Sequence, residues 1–356
     1  MKDRKTKIER RLPGRYLLSA FVLISILLLG ATHIYLNLFK PLSYKDEWEE
    51  IGIPHGVSFK EAVNILNKEG FIRDRNLFIL LGRITGVANR IRSGYYNLNT
   101  SMSPWDVFDS LKNGSIIEYT LTIPEGSTLE DIADILSKKG FVNMDDFLSL
   151  ARDKELLQSL NIDAPSLEGY LFPDTYRFPK GMSAEDIISM MVGRMREEFG
   201  AALRQRAAEI GFDERATLTL ASIIEREAQE DWERPIISAV YHNRLNKGMP
   251  LQADPTAIYG VKSYNEKITR KDLQRKTPYN TYQIIGLPPG PIASPGIKSI
   301  KAALYPAQAD YLYFVSKNDG THYFSKTSEE HLLAVQKYQL ERHENRITSK
   351  KDTEVP

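Results

Sequence analysis

Two glutamates, Glu225 and Glu227, lie within the segment TLASIIEREAQ, whose other residues have the apolar spacing of a buried helix. Counting from Leu220, the positions three, four and seven residues further on share one helical face, and the last of them is Glu227. A carboxyl group on this face is removed from water, which disfavours its charged form and raises its pKa. Glu227 is therefore predicted to stay protonated near neutral pH and to act as a general acid.

Glu225 is a second candidate for this acid. It follows Ala221 by four residues and Leu218 by seven, so it also borders the apolar face, with Gln229 on its open side. An alternative interpretation treats both glutamates as surface or salt-bridged residues of an ordinary helix. Spacing alone leaves these interpretations open.

Composition limits the classes of protein that the chain can represent. With 356 residues and 42% hydrophobic content, the chain can bury sizeable cores, and its length suggests two or three domains. A net charge of +1 gives no global field for nucleic acid, so no nucleic-acid partner is expected. The chain has no cysteine, and its six histidines lack HExxH spacing, so neither a metal site nor a cofactor is predicted.

The N-terminal segment predicts a membrane anchor. Residues 16–39 contain no charged side chain and are long enough to cross a bilayer as one transmembrane helix. The preceding residues, 1–15, are rich in lysine and arginine, which predicts a cytoplasmic N-terminus and an extracytoplasmic remainder. The alternative is a cleaved signal peptide, which usually has a shorter apolar stretch and an A-x-A-like site, and neither feature is evident.

The chain repeats itself beyond the apolar segment. The stretch IPHGVSFKEAVNILNKEGFI aligns without gaps to the later stretch IPEGSTLEDIADILSKKGFV. In each copy, Pro and Gly predict a turn, Ser58 or Thr128 stands where a helix N-cap would, and an amphipathic helix ends at Gly70 or Gly140.

The repetition continues downstream, where SGYYNL parallels EGYLFP and SMSPWDVFDSL parallels GMSAEDIISMM. It predicts two small α/β modules, at residues 40–118 and 119–185. Repeated small modules more often serve binding or spacing than catalysis.

Longer helical patterns begin near residue 186 and are followed by a loop-rich stretch. The segment YLYFVSKNDGTHYFS has an Asp-Gly turn between two β-like runs and predicts a hairpin, and EEHLLAVQKYQLERHEN predicts a closing helix. The expected fold class is α+β, with a mixed α+β catalytic domain at 186–345 and a polar tail at 346–356.

Several long motifs carry a family resemblance. The segments ASIIEREA, NRLNKGMPLQADPTAIYG, YNTY and GLPPGPIASPG occur in this order and spacing. They resemble the endolytic murein transglycosylases of the MltG (YceG-like) family. The resemblance covers nearly the whole chain: a single membrane anchor, a LysM-like region that includes LEGYLFPDTYRF, and a catalytic domain. It implies an enzyme on the wall side of the cytoplasmic membrane.

The resemblance implies that Glu227 is the catalytic glutamate and that Glu225 is a supporting or substrate-facing carboxylate. The predicted sugar-binding residues are polar or aromatic and come from loops: Gln252, Asp254, Tyr279, Asn280, Thr281 and Tyr282. The carboxylate and amides would pair with sugar hydroxyls or N-acetyl groups, and a tyrosine would stack on a pyranose ring.

Structural alternatives stand beside these roles. Asp254 with the following proline could simply start a turn, and the tyrosines of YNTY could pack between loop and core. His322 and His331 match histidines of the family's C-terminal segment, where a structural hydrogen-bonding role is an equal alternative. Glu168 is expected to brace the interface between modules.

The reaction implied by the resemblance needs one carboxyl group. It would protonate the leaving oxygen of N-acetylglucosamine and then accept a proton from the 6-hydroxyl of N-acetylmuramic acid, which closes a 1,6-anhydro ring. Two alternatives remain: a muramidase that uses Asp254, Glu225 or Glu230 to activate water, and a noncatalytic wall-binding scaffold. The expected partners are peptidoglycan glycan strands, the membrane and peptidoglycan synthases.

Overall fold

The computed structural model describes residues 14–340. The predicted polar tail at 346–356, and all but the last two residues of the predicted cytoplasmic tail, lie outside the described residues. The described residues divide into two compact units, one formed by residues 14–119 with 179–181 and the other by 120–178 with 182–340. Helices and short two-stranded sheets occur in sequence, so the expected α+β class is confirmed.

The first unit contains a long helix followed by a small α/β core. Its elements are α1 (Gly14–Leu38), β1 (Trp48–Ile53), α2 (Phe59–Lys68), α3 (Arg75–Thr85), β2 (Gly94–Asn99) and α4 (Pro104–Asn113). β1 and β2 pair antiparallel, from Trp48 opposite Asn99 to Ile53 opposite Gly94. Apolar side chains of α2, α3 and α4 pack with this ribbon into one buried cluster.

Helix α1 includes an apolar stretch, Leu18–Leu38, that is long and apolar enough to cross a membrane. Most of the stretch is not covered by the rest of the protein, and Leu38 at its end is buried. A long helix with exposed leucine and isoleucine on every side is costly in water and stable in lipid. This observation agrees with the helix predicted at residues 16–39.

The second unit consists mainly of helices. From residue 118 onward the elements, in chain order, are β3 (Glu118–Thr122), α5 (Leu129–Lys138), α6 (Met144–Leu150), α7 (Lys154–Ser159), β4 (Thr175–Pro179), α8 (Ala184–Glu198), α9 (Ala201–Glu209), α10 (Glu214–Glu227), α11 (Arg234–Asn246), α12 (Asp254–Ile258), α13 (Arg270–Gln274), α14 (Ile297–Leu304), β5 (Tyr313–Ser316), β6 (His322–Ser325) and α15 (Ser328–Val335). β3 pairs with β4, and β5 pairs antiparallel with β6.

The repeated segments form the same local structure. Ser58 is the N-cap of α2 and Thr128 is the N-cap of α5, and each forms a capping box with an acidic residue three positions on. Gly70 and Gly140 follow the two helices with φ of +81° and +75°, a conformation that favours glycine. The predicted caps and helix ends are therefore confirmed. A LysM-like assignment of these modules stays a prediction.

Helix α10 lies at the centre of the second unit and packs against α9, α11, α12 and α14. Leu218, Leu220, Ile223 and Ile224 are completely buried. The apolar stripe seen in the sequence is therefore the core-facing side of α10. Its packing fixes the position of Glu227 at the end of the helix. Predictions for the last elements also hold, since β5 and β6 form the expected hairpin and α15 begins the closing helix.

Candidate active site

Glu227 is the last residue of α10, and the chain leaves the helix at Ala228 in an extended conformation. The side chain is half-buried and borders a cavity of about 370 Å³. The cavity walls come from the ends of α10 and α11, the loop before α12, the β5–β6 hairpin and α15. Its lining includes Gln252, Asp254 and Tyr282. The structure therefore brings four of the predicted site residues together.

Burial raises the pKa of Glu227 to about 8, and the nearby carboxylate of Asp254 adds to the rise. The hydroxyl of Tyr241 donates a hydrogen bond to Glu227 Oε1 at 3.2 Å and opposes part of this effect. Burial also raises the pKa of Tyr241 well above its usual value, so its hydroxyl keeps its proton. At neutral pH, Glu227 is thus a protonated carboxyl group that still opens onto a cavity.

Asp254 and Tyr282 are linked across the cavity wall. The Tyr282 hydroxyl donates to Asp254 Oδ1 at 2.6 Å, and Asp254 itself is exposed at the start of α12. The neighbouring Gln252 is exposed and has a φ of +50°, which is uncommon for a residue with a side chain. Backbone strain of this kind is found where a site requires a particular side-chain direction.

Arg244 holds the loop that carries Gln252. Its Nη1 donates to the carbonyl oxygen of Leu251 at 2.7 Å and to Gln252 Oε1 at 3.3 Å, and its Nε donates to the Leu312 carbonyl at 2.7 Å. The guanidinium group therefore ties the loop before α12 to the segment before β5. Arg244 also lines the cavity. The sequence prediction missed this residue, although it occurs within the quoted motif NRLNKGMPLQADPT.

A buried histidine–carboxylate pair forms another part of the wall. Glu233 is completely buried and accepts hydrogen bonds from the main-chain N–H of His322 at 2.8 Å and from His322 Nδ1 at 2.7 Å. The ring of His322 lines the cavity, as does the ring of His331, which stacks on Tyr313. The sequence singled out both histidines. It gave no indication of Glu233, which looks like one more surface acid in a polar stretch.

Glu225 has a different environment from Glu227. Its Oε1 forms an ion pair with Arg234 Nη1 at 3.0 Å, and its Oε2 accepts the main-chain N–H of Gly296 at 2.9 Å. Only 6% of the Glu225 side chain and 8% of the Arg234 side chain are exposed. The structure does not bring Glu225 to the cavity, and both of its oxygens already have partners. This arrangement matches the salt-bridged interpretation left open by the spacing.

Asn280 and Thr281 are completely buried beside the site and not within it. Asn280 Nδ2 donates to three carbonyl oxygens within residues 272–275, at 2.6–3.3 Å. Thr281 Oγ1 accepts the main-chain N–H of Ala253 at 2.9 Å and shares a hydrogen bond with Thr256 Oγ1 at 2.8 Å. The contacts of both residues hold loop segments together. Those of Thr281 support the segment that carries Asp254.

Tyr279 is also remote from the cavity lining. Its ring packs 4.6 Å from the ring of Tyr259, whose hydroxyl donates to Glu168 Oε2 at 3.0 Å. Glu168 is 3% exposed and also accepts the main-chain N–H of Leu129. Burial raises the pKa of Glu168 to about 8, like that of Glu227, but Glu168 does not line the cavity.

A half-buried, protonated carboxyl group at the wall of a polar cavity is the arrangement of enzymes that cleave glycosidic bonds by general acid catalysis. Among residues 14–340, no group of three or more histidine, cysteine, aspartate or glutamate side chains has the arrangement of a metal site.

Comparison with known proteins assigns the chain to a family. The YceG-like family matches residues 51–337. The chain is 33% identical over 333 residues to the endolytic murein transglycosylase of Bacillus subtilis (strain 168), covering 88% of this chain and 91% of that protein. It is 28% identical over 355 residues to the protein of the same name from Streptococcus pneumoniae serotype 2, covering 89% of this chain and 64% of that protein. The chain therefore belongs to the YceG-like family.

A solved structure supports this assignment. The crystal structure of a YceG-like protein from Listeria monocytogenes has a TM-score of 0.57 and 36% sequence identity to this chain. The match covers 82% of this chain and 100% of the other. The family resemblance stated from the sequence motifs is thus confirmed.

Proposed function

We propose that this chain is a membrane-anchored lytic transglycosylase that cleaves the β-1,4 bond between N-acetylmuramic acid and N-acetylglucosamine in nascent peptidoglycan. Its place in the family, with relatives named endolytic murein transglycosylases, makes it an enzyme of the lytic transglycosylase class. The main support for the detailed proposal is the carboxyl group of Glu227. Its pKa is raised to about 8, and it faces a polar cavity.

In the proposed reaction, Glu227 first acts as the acid. Its proton passes to the glycosidic oxygen as the bond from that oxygen to the anomeric carbon breaks, which releases the 4-hydroxyl of N-acetylglucosamine. The carboxylate then accepts the proton of the 6-hydroxyl of N-acetylmuramic acid, whose oxygen bonds to the anomeric carbon. The product ends in a 1,6-anhydro ring, no water is consumed, and Glu227 regains its proton.

The other cavity residues support this chemistry electrostatically and by position. Asp254 places a negative charge beside the cavity, where it favours the positive charge that develops on the sugar ring as the bond breaks. The same charge helps to keep Glu227 protonated until that step. Gln252 and Tyr282 supply hydrogen-bonding groups for the sugar hydroxyls and N-acetyl groups.

The proposal also covers the orientation of the chain at the membrane and its division into domains. We infer that α1 crosses the cytoplasmic membrane once with its N-terminus inside, and that residues 40–118 and 119–185 form modules, the second LysM-like, before a catalytic domain at 186–345. The apolar stretch Leu18–Leu38 supports the anchor. Tethering would keep the cavity near the outer leaflet, beside the synthases that extrude new strands.

The decisive experiment compares Glu227→Gln with Glu168→Gln on purified glycan strands. Both changes remove a buried carboxyl group with a similarly raised pKa, but only Glu227 lines the cavity. We expect Glu227→Gln to lower the rate of cleavage by at least about a hundredfold, the contribution of a general acid, and Glu168→Gln to retain activity in its folded fraction. Full activity of a folded Glu227→Gln chain would rule out the assignment.

A muramidase is the second candidate, because two carboxyl groups, Glu227 and Asp254, face one cavity. Glu225 is held in its ion pair, and the exposed Glu230 does not line the cavity. Mass spectrometry of the digest separates the two reactions, since transglycosylation gives anhydro ends and hydrolysis gives reducing ends. A wild-type chain that binds glycan and cleaves nothing would instead indicate the scaffold alternative.

A further inference from the structure

Helix α3 of the first unit has an unusual outward face. Its inner face is packed, with Phe78 completely buried and Gly82 so close to Phe59 that an added Cβ would lie 2.2 Å from that ring. On the outer face, Leu80 is 53% exposed and Ile84 is 75% exposed, one helical turn apart. Two large apolar side chains that share an exposed helical face are costly in water and indicate a partner surface.

The same segment is strongly basic. Residues 73–92 contain five arginines and one acidic residue, Asp74. Arg75, Arg83 and Arg90 are exposed. An exposed helix with leucine and isoleucine on its outer face, and with Arg83 three residues from Leu80 at the edge of that face, has the composition of a helix that lies at a membrane surface rich in anionic lipid.

α3 is fastened directly to the end of the apolar helix α1. Arg73 donates to the carbonyl oxygens of Leu36 at 3.1 Å and Pro41 at 2.9 Å. Asp74, the N-cap of α3, accepts from His33 Nε2 at 3.0 Å. His33 precedes Leu38 by about 7.5 Å along the helix axis, at about 1.5 Å per residue. α3 therefore begins beside the last apolar turns of α1.

Aromatic residues surround the same end of α1. The ring of Phe39 stacks on Trp105 of α4 at 5.6 Å and on Tyr35 at 6.3 Å. All three side chains remain exposed, by 46%, 38% and 61% respectively. Tryptophan and tyrosine are enriched at the boundary between lipid tails and water. Exposed apolar residues, exposed arginines and an aromatic cluster thus lie on α1 and on the two helices, α3 and α4, that contact it.

We propose that the outer face of α3, formed by Leu80 and Ile84, lies in the headgroup region of the bilayer next to α1. The exposed Arg83 and Arg90 pair with anionic lipid headgroups, and Trp105 lies at the same depth. The first unit is then a membrane-surface module and not only a spacer. This inference rests on the proposed anchoring by α1 and adds a second membrane contact to it.

Fluorescence quenching by brominated lipid tests the contact in the full chain. The chain has three tryptophans, which are first replaced by phenylalanine, and a single reporter is introduced by Ile84→Trp. The matched control carries Asn64→Trp on the exposed, polar face of α2 in the same unit. In vesicles of phosphatidylcholine and phosphatidylglycerol, we expect quenching at position 84 to exceed that at position 64 by at least about twofold, because only the former contacts acyl chains.

Flotation of the same vesicles separates this inference from the anchor. If the chain floats with the vesicles and the two reporters are quenched equally, α1 is an anchor but the α3 contact is wrong. If the chain does not float with the vesicles, both the proposed anchor and the proposed α3 contact are wrong. A circular dichroism spectrum equal to that of the wild type ensures that each reporter chain is folded.

Discussion

Glu227 combines two properties that rarely coincide, a desolvated carboxyl group and access to a cavity, because it ends a buried helix. Its pKa of about 8 means that the acid is protonated at neutral pH and loses its proton above that value. We therefore expect kcat/KM to be level near pH 7 and to fall about tenfold per unit well above pH 8. The measurement is a pH series of initial rates on a defined glycan substrate.

Asp254→Asn tests the cause of that pKa. The Asp254 carboxylate contributes to the raised pKa of Glu227, so its neutralisation should move the alkaline limb of the profile to lower pH. The rate at the optimum should also fall, since a negative charge beside the sugar ring is lost. An alkaline limb that keeps its position in Asp254→Asn would show that burial alone sets the pKa.

The raised pKa of Glu227 also makes the stability of the folded chain depend on pH. In the unfolded chain, Glu227 titrates near its usual value of 4.5, whereas in the folded chain it titrates near 8. The folded state therefore binds more protons between these values, and the contribution of Glu227 to stability is present below about pH 4.5 and lost as pH rises through 8. Replacing Glu227 with glutamine should stabilise the protein at pH 9 by on the order of a few kcal/mol, and much less at pH 5.

Urea unfolding of wild type and Glu227→Gln at the two pH values measures this difference. Glu225→Gln is the contrasting variant, because it breaks a buried ion pair with Arg234 and should destabilise the protein at both pH values. Equal stability of wild type and Glu227→Gln across the pH range would contradict the desolvation argument.

Glu233 should position His322 in the cavity wall. One of its oxygens accepts the main-chain N–H of His322 and the other lies 2.7 Å from Nδ1 of the same residue, which fixes the orientation of the ring. A glutamine can accept only one of these bonds, so Glu233→Gln should lower kcat/KM by about tenfold, the equivalent of one well-placed hydrogen bond. Nitrogen NMR of His322 should show a changed tautomer, and an unchanged spectrum with unchanged kinetics would exclude the positioning role.

At the residue scale, the sequence predicted the position of Glu227 better than its surroundings. Helical spacing located Glu227 because the apolar stripe that leads to it lies on one helix. Glu233 and Arg244 depend on partners many residues away, such as His322 and Leu312, and no local pattern reports such contacts. Glu225 and Glu227 have similar helical spacing, so the sequence does not distinguish their environments. The structure does, because Arg234 and Gly296, from other elements, bind the two oxygens of Glu225.

At the scale of elements, local signals were reliable where capping chemistry determined the structure. The N-caps Ser58 and Thr128 begin matching helices, and Ser103 and Ser183 do the same for α4 and α8. The parallel between SGYYNL and EGYLFP did not extend to secondary structure. The first is β2, whereas residues 168–173 form a turn before β4.

Tertiary contacts explain that difference. Gly169 has a φ of +78°, and a Cβ at this position would lie 2.3 Å from Pro291. The buried carboxylate of Glu168 accepts from the first N–H of α5. These constraints come from distant parts of the second unit and override the strand-like pattern of the segment.

The loop around Asn280 provides a prediction at the same scale. Asn280 donates to three carbonyl groups near α13 and accepts the main-chain N–H of Tyr282, so it joins two loop segments behind the cavity. Asn280→Ala leaves several buried groups unsatisfied and should cost about 2–4 kcal/mol of stability. The free energy of unfolding, measured in urea, tests the expected loss.

The surface Gln283→Ala is a suitable control for Asn280→Ala, since Gln283 makes a single exposed hydrogen bond in the same loop. If Asn280→Ala left stability unchanged and only weakened glycan binding, Asn280 would be a substrate-binding residue, as the sequence predicted. Its complete burial supports the loop-building role.

At the scale of the whole molecule, the question is why a glycan-cleaving enzyme should carry a helix that is long and apolar enough to cross a membrane. A tether confines an enzyme to a shell whose depth is set by its reach, and effective concentrations within such a shell are on the order of millimolar. Substrate that is abundant throughout the wall would then be cut preferentially near the membrane, where strands are newest. The apolar stretch Leu18–Leu38 has the length and composition that such a tether needs.

Release of the tether should therefore lengthen the glycan strands. A chain in which residues 1–39 are replaced by a cleavable export signal keeps the cavity but loses its confinement, so fewer cuts should fall on nascent strands. We expect the strand-length distribution of purified walls to shift toward longer strands, measured by chromatography after the stem peptides are removed. Replacement of α1 by an unrelated transmembrane helix should restore the original distribution, because confinement depends on hydrophobic length and not on sequence. An identical distribution in anchored and released chains would mean that access to strands is set elsewhere, for example by a synthase partner.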